Sequence, residues 1–424
     1  MRWHPLLAGG LRDKAIQSAA VLIQSLTQTH APDQRSAALS TGTAGLAVGH
    51  AVAAHAGQDW AERERADQCL DGAVDVLASQ PLSLSLYSGF TGIAWAADVV
   101  DRLLDGDAAD RPGANRNDDI DEALARAIWR YPKDGPYDLI DGLAGLGTYA
   151  LARWPRPAAA ECLAGVLAQL ASRARRDADG VYWWTSPAQL LGPRRELCPA
   201  GAVDLGVAHG MAGVLPLLGR ACALGAGEAT ARPLLDGAVQ WMLAHLIETP
   251  TGQTSPPFIA AGAEPEPARS AWCYGDPGVA MALLLAARDV SEPGWELAGI
   301  ELAIRAAARP PEQCGVTDAG LCHGTAGLAH LYGRMYQLTG EGVLADAAVS
   351  WAERTVALCG PAVDAMAAGQ PAATTPDRPW NGQGLLEGAA GIALALLAAS
   401  LPAEPVWDQM LLVSTGLDAT VSAR

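Results

Sequence analysis

Gly324-Thr325-Ala326-Gly327-Leu328-Ala329 decides the fold, because the chain repeats it. The same pattern, Gly-x-x-Gly followed by a small or branched apolar residue and an Ala-rich run, also begins at Gly42, Gly89, Gly142, Gly210, Gly275 and Gly388. The seven copies stand roughly 45 to 70 residues apart, room for a helix out, a loop and a helix back. Each second Gly falls in the first turn of an apolar helix, where the missing side chain permits close helix–helix approach. Residues that are apolar on nearly all sides describe a buried helix. More amphipathic stretches, such as Asp121–Arg130 and Glu341–Leu358, suit outer helices. Helix pairs that each need a neighbour to cover their apolar faces close into a ring. The expectation is an all-α protein, an α/α toroid of seven helix pairs with inner helices starting at the Gly motifs, in a single domain over residues 1–424.

Composition agrees. Half of the residues are hydrophobic and 18% are charged, ample for a large core, and the dominance of Ala and Leu favours helix. Thirteen Trp against two Phe supply either core bulk or a groove lining. A net charge of −17 argues against a nucleic-acid partner and fits solubility or a basic partner. No apolar leader follows Met1, and the most apolar segment, Gly388 to Ala403, is shorter than the ~20 residues that span a bilayer. Eight Cys in such a chain point to a reducing cytoplasm rather than a disulfide framework. Asp105–Asp119, Thr249–Pro267 and Gly360–Gly384 read as long loops. Gly180–Leu205, with Tyr182, Trp183 and Trp184, reads as a short β excursion, a small inserted subdomain within 175–205.

The residues just before each motif carry the chemistry. Thr41 and Ser88 read as helix N-caps in the first two copies. Copies four to six have Ala208-His209, Cys273-Tyr274 and Cys322-His323, and the last has Leu386-Glu387. If each motif starts an inner helix, these side chains converge at one end of the ring. Cys273, Cys322 and His323 then give three ligands for Zn²⁺ and leave one tetrahedral position open. Helix N-termini would help to hold both sulfurs as thiolates. An isolated Cys is more often a small core residue. Cys69, Cys162, Cys222 and Cys359 fit that reading, and Cys314 is a spare thiol.

Trp272-Cys273-Tyr274-Gly275-Asp276-Pro277-Gly278 and Leu321-Cys322-His323-Gly324-Thr325-Ala326-Gly327 resemble the motifs of the lanthionine synthetase C family. Ala208-His209-Gly210-Met211-Ala212-Gly213 and Tyr137-Asp138-Leu139-Ile140-Asp141-Gly142 match it too, and the likeness runs through nearly the whole chain. The resemblance implies an α/α toroid with one Zn²⁺ per chain on Cys273, Cys322 and His323. It also implies a catalytic His209 with its acidic partner Asp138, and functional Arg269 and Tyr274. Asp141 departs from the family's usual Glu, and Gly384 stands where a Ser is more common.

The implied activity is that of a zinc-dependent lanthipeptide cyclase. It adds Cys thiols of a dehydrated precursor peptide, leader attached, to dehydroalanine or dehydrobutyrine. A dehydratase and an exporter are the expected partners, in a cytoplasmic complex at the membrane periphery. The length leaves no room for a fused dehydratase. Alternatives are a glutathione-adding relative, a noncatalytic zinc scaffold, and a glycosidase built on Asp138 and Glu387, which would leave the Cys/Cys/His set without a role.

Overall fold

The apolar runs behind the Gly motifs are helices, and so are the amphipathic stretches between them. The computed structural model describes residues 3–26, 34–57, 59–106, 117–190, 192–371 and 378–414. The chain begins with α1 (Gly9–Gln24) and a single turn, α2 (Gln34–Ala37). Three pairs follow: α3 (Thr43–Gly57) with α4 (Trp60–Ser79), α5 (Phe90–Asp105) with α6 (Asp118–Ile128), and α7 (Leu143–Ala152) with α8 (Pro157–Arg173). An excursion of β1 (Arg175–Asp177), β2 (Gly180–Tyr182), α9 (Arg194–Leu197) and β3 (Val203–Asp204) precedes α10 (Val214–Ala223) and α11 (Glu228–Ala244). Then come β4 (Ile247–Thr249), β5 (Gly252–Thr254) and β6 (Phe258–Ile259). The pairs α12 (Asp276–Val290) with α13 (Pro293–Ala307) and α14 (Thr325–Thr339) with α15 (Gly342–Ala367) lead to α16 (Ala389–Ser400).

The inner helices form a closed ring. Each packs on the next in the order α3, α5, α7, α10, α12, α14, α16, and α16 returns to α3. Every residue of α16 is buried, as an element surrounded on all sides requires. Outer α4 instead buries one stripe, Glu62, Ala66, Cys69, Leu70, Ala73 and Val76, at helical spacing. The terminal α1 covers α16, which completes the outer layer. Among the described residues no helix is long and apolar enough to cross a membrane.

The β excursion is present and extends further than 175–205. The β1–β2 hairpin packs on α11, while β3 pairs with β6 through Val203 with Ile259 and Asp204 with Phe258. Leu190, Cys198 and Ala202 form a small cluster with Phe258 and Ala260, separate from the main core.

Several sequence expectations need correction. Residues 360–367 are not loop, because α15 continues through Pro361 to Ala367. Pro361 and Ala357 lie on the exposed face, so the carbonyl that loses its amide partner faces water. Residues 249–267 contain the β4–β5 hairpin and β6 rather than an unstructured loop. Ser88 is not a helix cap: Gly89 occupies that position, and the Ser88 hydroxyl donates to Ser85 Oγ. Thr41 lies one residue too early, since Gly42 separates it from α3. The third loop, Asp105–Asp119, falls mostly outside the described residues, with α6 beginning at Asp118.

A further correction concerns the second Gly of each motif. A Cβ at Gly45, Gly92, Gly145, Gly213, Gly278, Gly327 or Gly391 would lie 1.8–2.4 Å from a backbone carbonyl oxygen. That oxygen belongs to the residue six places upstream: Leu39, Leu86, Leu139, Val207, Trp272, Leu321 and Leu385 in turn. The turn before each helix folds back under its first residues. At α14 the N–H groups of Thr325, Ala326 and Gly327 donate to the carbonyls of Asp318, Ala319 and Gly320. Backbone therefore caps the helix, and glycine is required by its own turn first and by the turn of a neighbouring motif second.

Candidate metal centre and its surroundings

The turns that start the inner helices are stitched into a ring of their own. Its members lie two places before each first Gly: Ser40, Tyr87, Ile140, Ala208, Cys273, Cys322 and Leu386. The Ser40 N–H donates to Tyr87 O at 3.0 Å, Ile140 N–H to Ala208 O at 3.2 Å, and Ala208 N–H to Cys273 O at 3.4 Å. Cys273 N–H donates to Cys322 O at 3.3 Å, Cys322 N–H to Leu386 O at 2.7 Å, and Leu386 N–H to Ser40 O at 3.3 Å. Between Tyr87 and Ile140 the Ser85 hydroxyl is a relay, accepting from Tyr87 N–H and donating to Ile140 O. This ring brings the residues flanking each motif to one end of the toroid.

Cys273, Cys322 and His323 meet there, with one ligand atom of each within 4.8 Å of the others. The expectation that helix N-termini hold the sulfurs as anions does not fit α14, whose first amides are engaged by its own turn. The sulfurs act on each other instead. Hydrogen bonding from Cys322 pulls the Cys273 thiol well below its ordinary range against burial, with His323 and Arg269 assisting. Cys322 is pushed up in turn, by that bond and by burial. Arg269 Nη2 donates to Cys273 Sγ at 3.6 Å. His323 Nδ1 is buried without a hydrogen-bond partner of normal geometry, while the Cys273 sulfur raises the imidazole pKa. Two sulfurs beside an imidazole nitrogen that lacks a hydrogen-bond partner fit a zinc ion, a tetrahedral acceptor of S and N ligands.

His209 stands one place earlier around the ring, and its Nδ1 faces Asp138 Oδ2 at 3.1 Å. Asp138 Oδ1 accepts the Asp141 N–H at 2.8 Å, so one carboxylate fixes both its turn and the imidazole. Burial opposes charge on His209. The bond to Asp138 and the charges of Asp138, Asp204 and Asp141 outweigh it and raise the pKa. Tyr274 is half of a separate arrangement: its hydroxyl donates to Asp204 Oδ2 at 2.9 Å, and the Arg194 guanidinium carbon lies 3.7 Å from its ring centroid. Arg194 also donates to Asp204 at 3.1 Å, and Gly206 N–H to the other carboxylate oxygen at 2.9 Å. At the same end, beside Thr41 and Gly42, a cavity of about 700 Å³ is lined also by Val21, Met366, Arg378 and Gln383.

The family model described as lanthionine synthetase C-like protein matches residues 33–412. The chain belongs to that family. Its fold is similar to that of nisin cyclase, with a TM-score of 0.73 at 19% identity, over 90% of this chain and 93% of that one. No curated protein sequence matches the chain. The structure thus brings Cys273, Cys322 and His323 together, pairs His209 with Asp138, and sets Arg269 against a sulfur.

Sequence reasoning missed Asp204, Arg194 and Asp318. Asp204, Arg269 and Asp318 all stand six places before the first Gly of their motifs, so this column of the repeat would have revealed two of them. Arg194 lies outside the repeat, on the inserted segment, and no register marks it.

Proposed function

We propose that the protein is a zinc-dependent lanthipeptide cyclase, closing thioether rings between Cys thiols and dehydrated Ser or Thr residues of one peptide. The observation that carries this reading is the Cys273–Cys322–His323 cluster beside the His209–Asp138 pair in a chain of this family. Zinc held by those three residues would supply an open position at which a thiol is favoured as thiolate.

The remaining work falls to the chain. Arg269, already on the Cys273 sulfur, moderates the charge of two thiolates and offers its other N–H groups to the enolate oxygen. The substrate sulfur bonds to the β-carbon of the dehydro residue, and the π electrons move toward the carbonyl as an enolate. A proton must then reach the α-carbon. His209, its Nδ1 turned to Asp138, presents Nε2 for this delivery and is reprotonated by the proton the thiol gave up. The C–S bond forms, the C=C bond is consumed, and no atom is lost. Tyr274, its hydroxyl committed to Asp204, shapes the wall beside Cys273 rather than moving a proton.

A reaction that dehydrates Ser or Thr must precede this one, so a dehydratase is the implied supplier. The test is to incubate a dehydrated precursor, leader attached, with the protein, and to count alkylatable thiols before and after. Thiols should disappear at constant peptide mass, above enzyme-free peptide and above Cys322→Ala, which should also lose zinc in elemental analysis. Equal ring formation in all three would end the cyclase assignment. A mass gain with supplied glutathione would indicate intermolecular addition instead.

A further inference from the structure

We propose that Asp318 positions His323 for the metal, a role resting on the zinc reading above. Its Oδ1 accepts the Gly320 N–H at 2.7 Å, which locks the carboxylate onto the turn before α14. A Cβ at Gly324 would lie 2.5 Å from that same oxygen, so glycine there leaves the carboxylate its seat. The other oxygen, Oδ2, lies 3.4 Å from His323 Nε2. A carboxylate facing Nε2 keeps the imidazole proton on that nitrogen and leaves the Nδ1 lone pair available. Nδ1 is the buried atom without a hydrogen-bond partner, and the Cys273 and Cys322 sulfurs are beside this ring.

Asp204 shows that the seat and the output are separable. It occupies the same column and accepts a turn amide, Gly206 N–H, in the same way. Its second oxygen serves Tyr274 on the neighbouring motif. The column fixes a carboxylate against its turn, and the direction of the free oxygen determines which side chain is held. In the sixth motif that side chain is the imidazole of the metal cluster.

Asp318→Asn separates a metal role from a turn role. The variant keeps an acceptor for Gly320 N–H but loses the charge, and its amide N–H facing Nε2 favours the opposite tautomer. Zinc affinity of the full-length protein is measured by competition with a colorimetric chelator, alongside thermal unfolding of the metal-free protein. Asp318→Asn should bind zinc about 10–100-fold more weakly, with its metal-free unfolding temperature unchanged. Asp318→Ala, which also loses the turn bond, should show weak zinc binding and a lower unfolding temperature. Wild-type affinity in Asp318→Asn would overturn the positioning role while leaving the zinc site intact. A wild-type chain that takes up no zinc would overturn the metal reading itself.

Discussion

His209 owes its charge to its neighbours. Burial alone would lower its pKa, yet the Asp138 bond and three carboxylate charges raise it above 6.5. A raised folded value means that the protonated form stabilises the fold fully below about 6.5 and that this contribution fades as pH rises through the folded value. The same proton is the one proposed for the enolate. Asp138→Asn removes the largest raising influence, so the alkaline fall of the cyclisation rate should begin at lower pH than in wild type. His209→Ala should lose about 10²–10⁴-fold in rate with zinc retained. A pH–rate profile of Asp138→Asn whose alkaline limb matches wild type would remove Asp138 from this role. The meeting of Cys273, Cys322 and His323 and that of His209 with Asp138 were legible because each of these residues lies in or beside a repeated motif. Asp204 and Asp318 were hidden because a lone Asp before a Gly reads as a turn residue, and both indeed accept a turn amide. Their second oxygens, aimed at Tyr274 and His323, are properties of three-dimensional packing.

At the scale of elements, the repeat gave the number and order of inner helices, but not the reason for its glycines. A Cβ on Gly92 would lie 2.0 Å from Leu86 O and 2.9 Å from Leu39 Cβ, where backbone and a packed neighbour cannot both yield. Gly360, inside α15, has nothing within 4 Å of a built Cβ. Gly92→Ala should therefore destabilise by about 1–3 kcal/mol or more, and Gly360→Ala should be neutral or stabilising by up to about 1 kcal/mol. Urea unfolding of the two variants checks this, and equal stability would contradict the account of the turn. The same α15 shows where sequence signals misled. Gly360 and Pro361 read as breakers, yet Thr355, Cys359, Ala362 and Val363 continue one buried stripe across them. Periodicity outweighed punctuation because the proline sits on the solvent side. Thr249–Pro267 failed in the other direction: Pro250 and Gly252 at the hairpin turn were seen only as loop residues.

Across the whole molecule, a ring of helices leaves a central space, and residues 407–413 enter it. The 3₁₀ turn Trp407–Leu411 is almost wholly buried. Its carbonyls reach the underside of the stitched ring: Tyr87 OH donates to Met410 O at 2.7 Å and Trp272 Nε1 to Leu411 O at 2.9 Å. Trp272 precedes Cys273, so this plug lies against the turn that carries one residue of the candidate metal cluster. A largely buried ionic network anchors the plug. Asp408, fully buried, accepts from Arg334 Nε at 2.6 Å and Nη2 at 2.8 Å, and faces His330 Nε2 at 2.8 Å. Arg334 is itself buried, and its other links are to Glu404, Pro405 O and the face of Trp3. Asp408→Ala would strand a buried guanidinium with a half-exposed Glu404 as its remaining carboxylate, a change that typically costs about 3–5 kcal/mol. Glu122→Gln, which breaks the exposed Arg126–Glu122 pair, should cost less than about 1 kcal/mol. Thermal unfolding of the two variants should differ accordingly. Asp408→Ala should also weaken zinc retention if the plug holds Trp272 and the turn bearing Cys273. A variant that melts early but keeps wild-type zinc affinity would show that the plug serves the toroid alone.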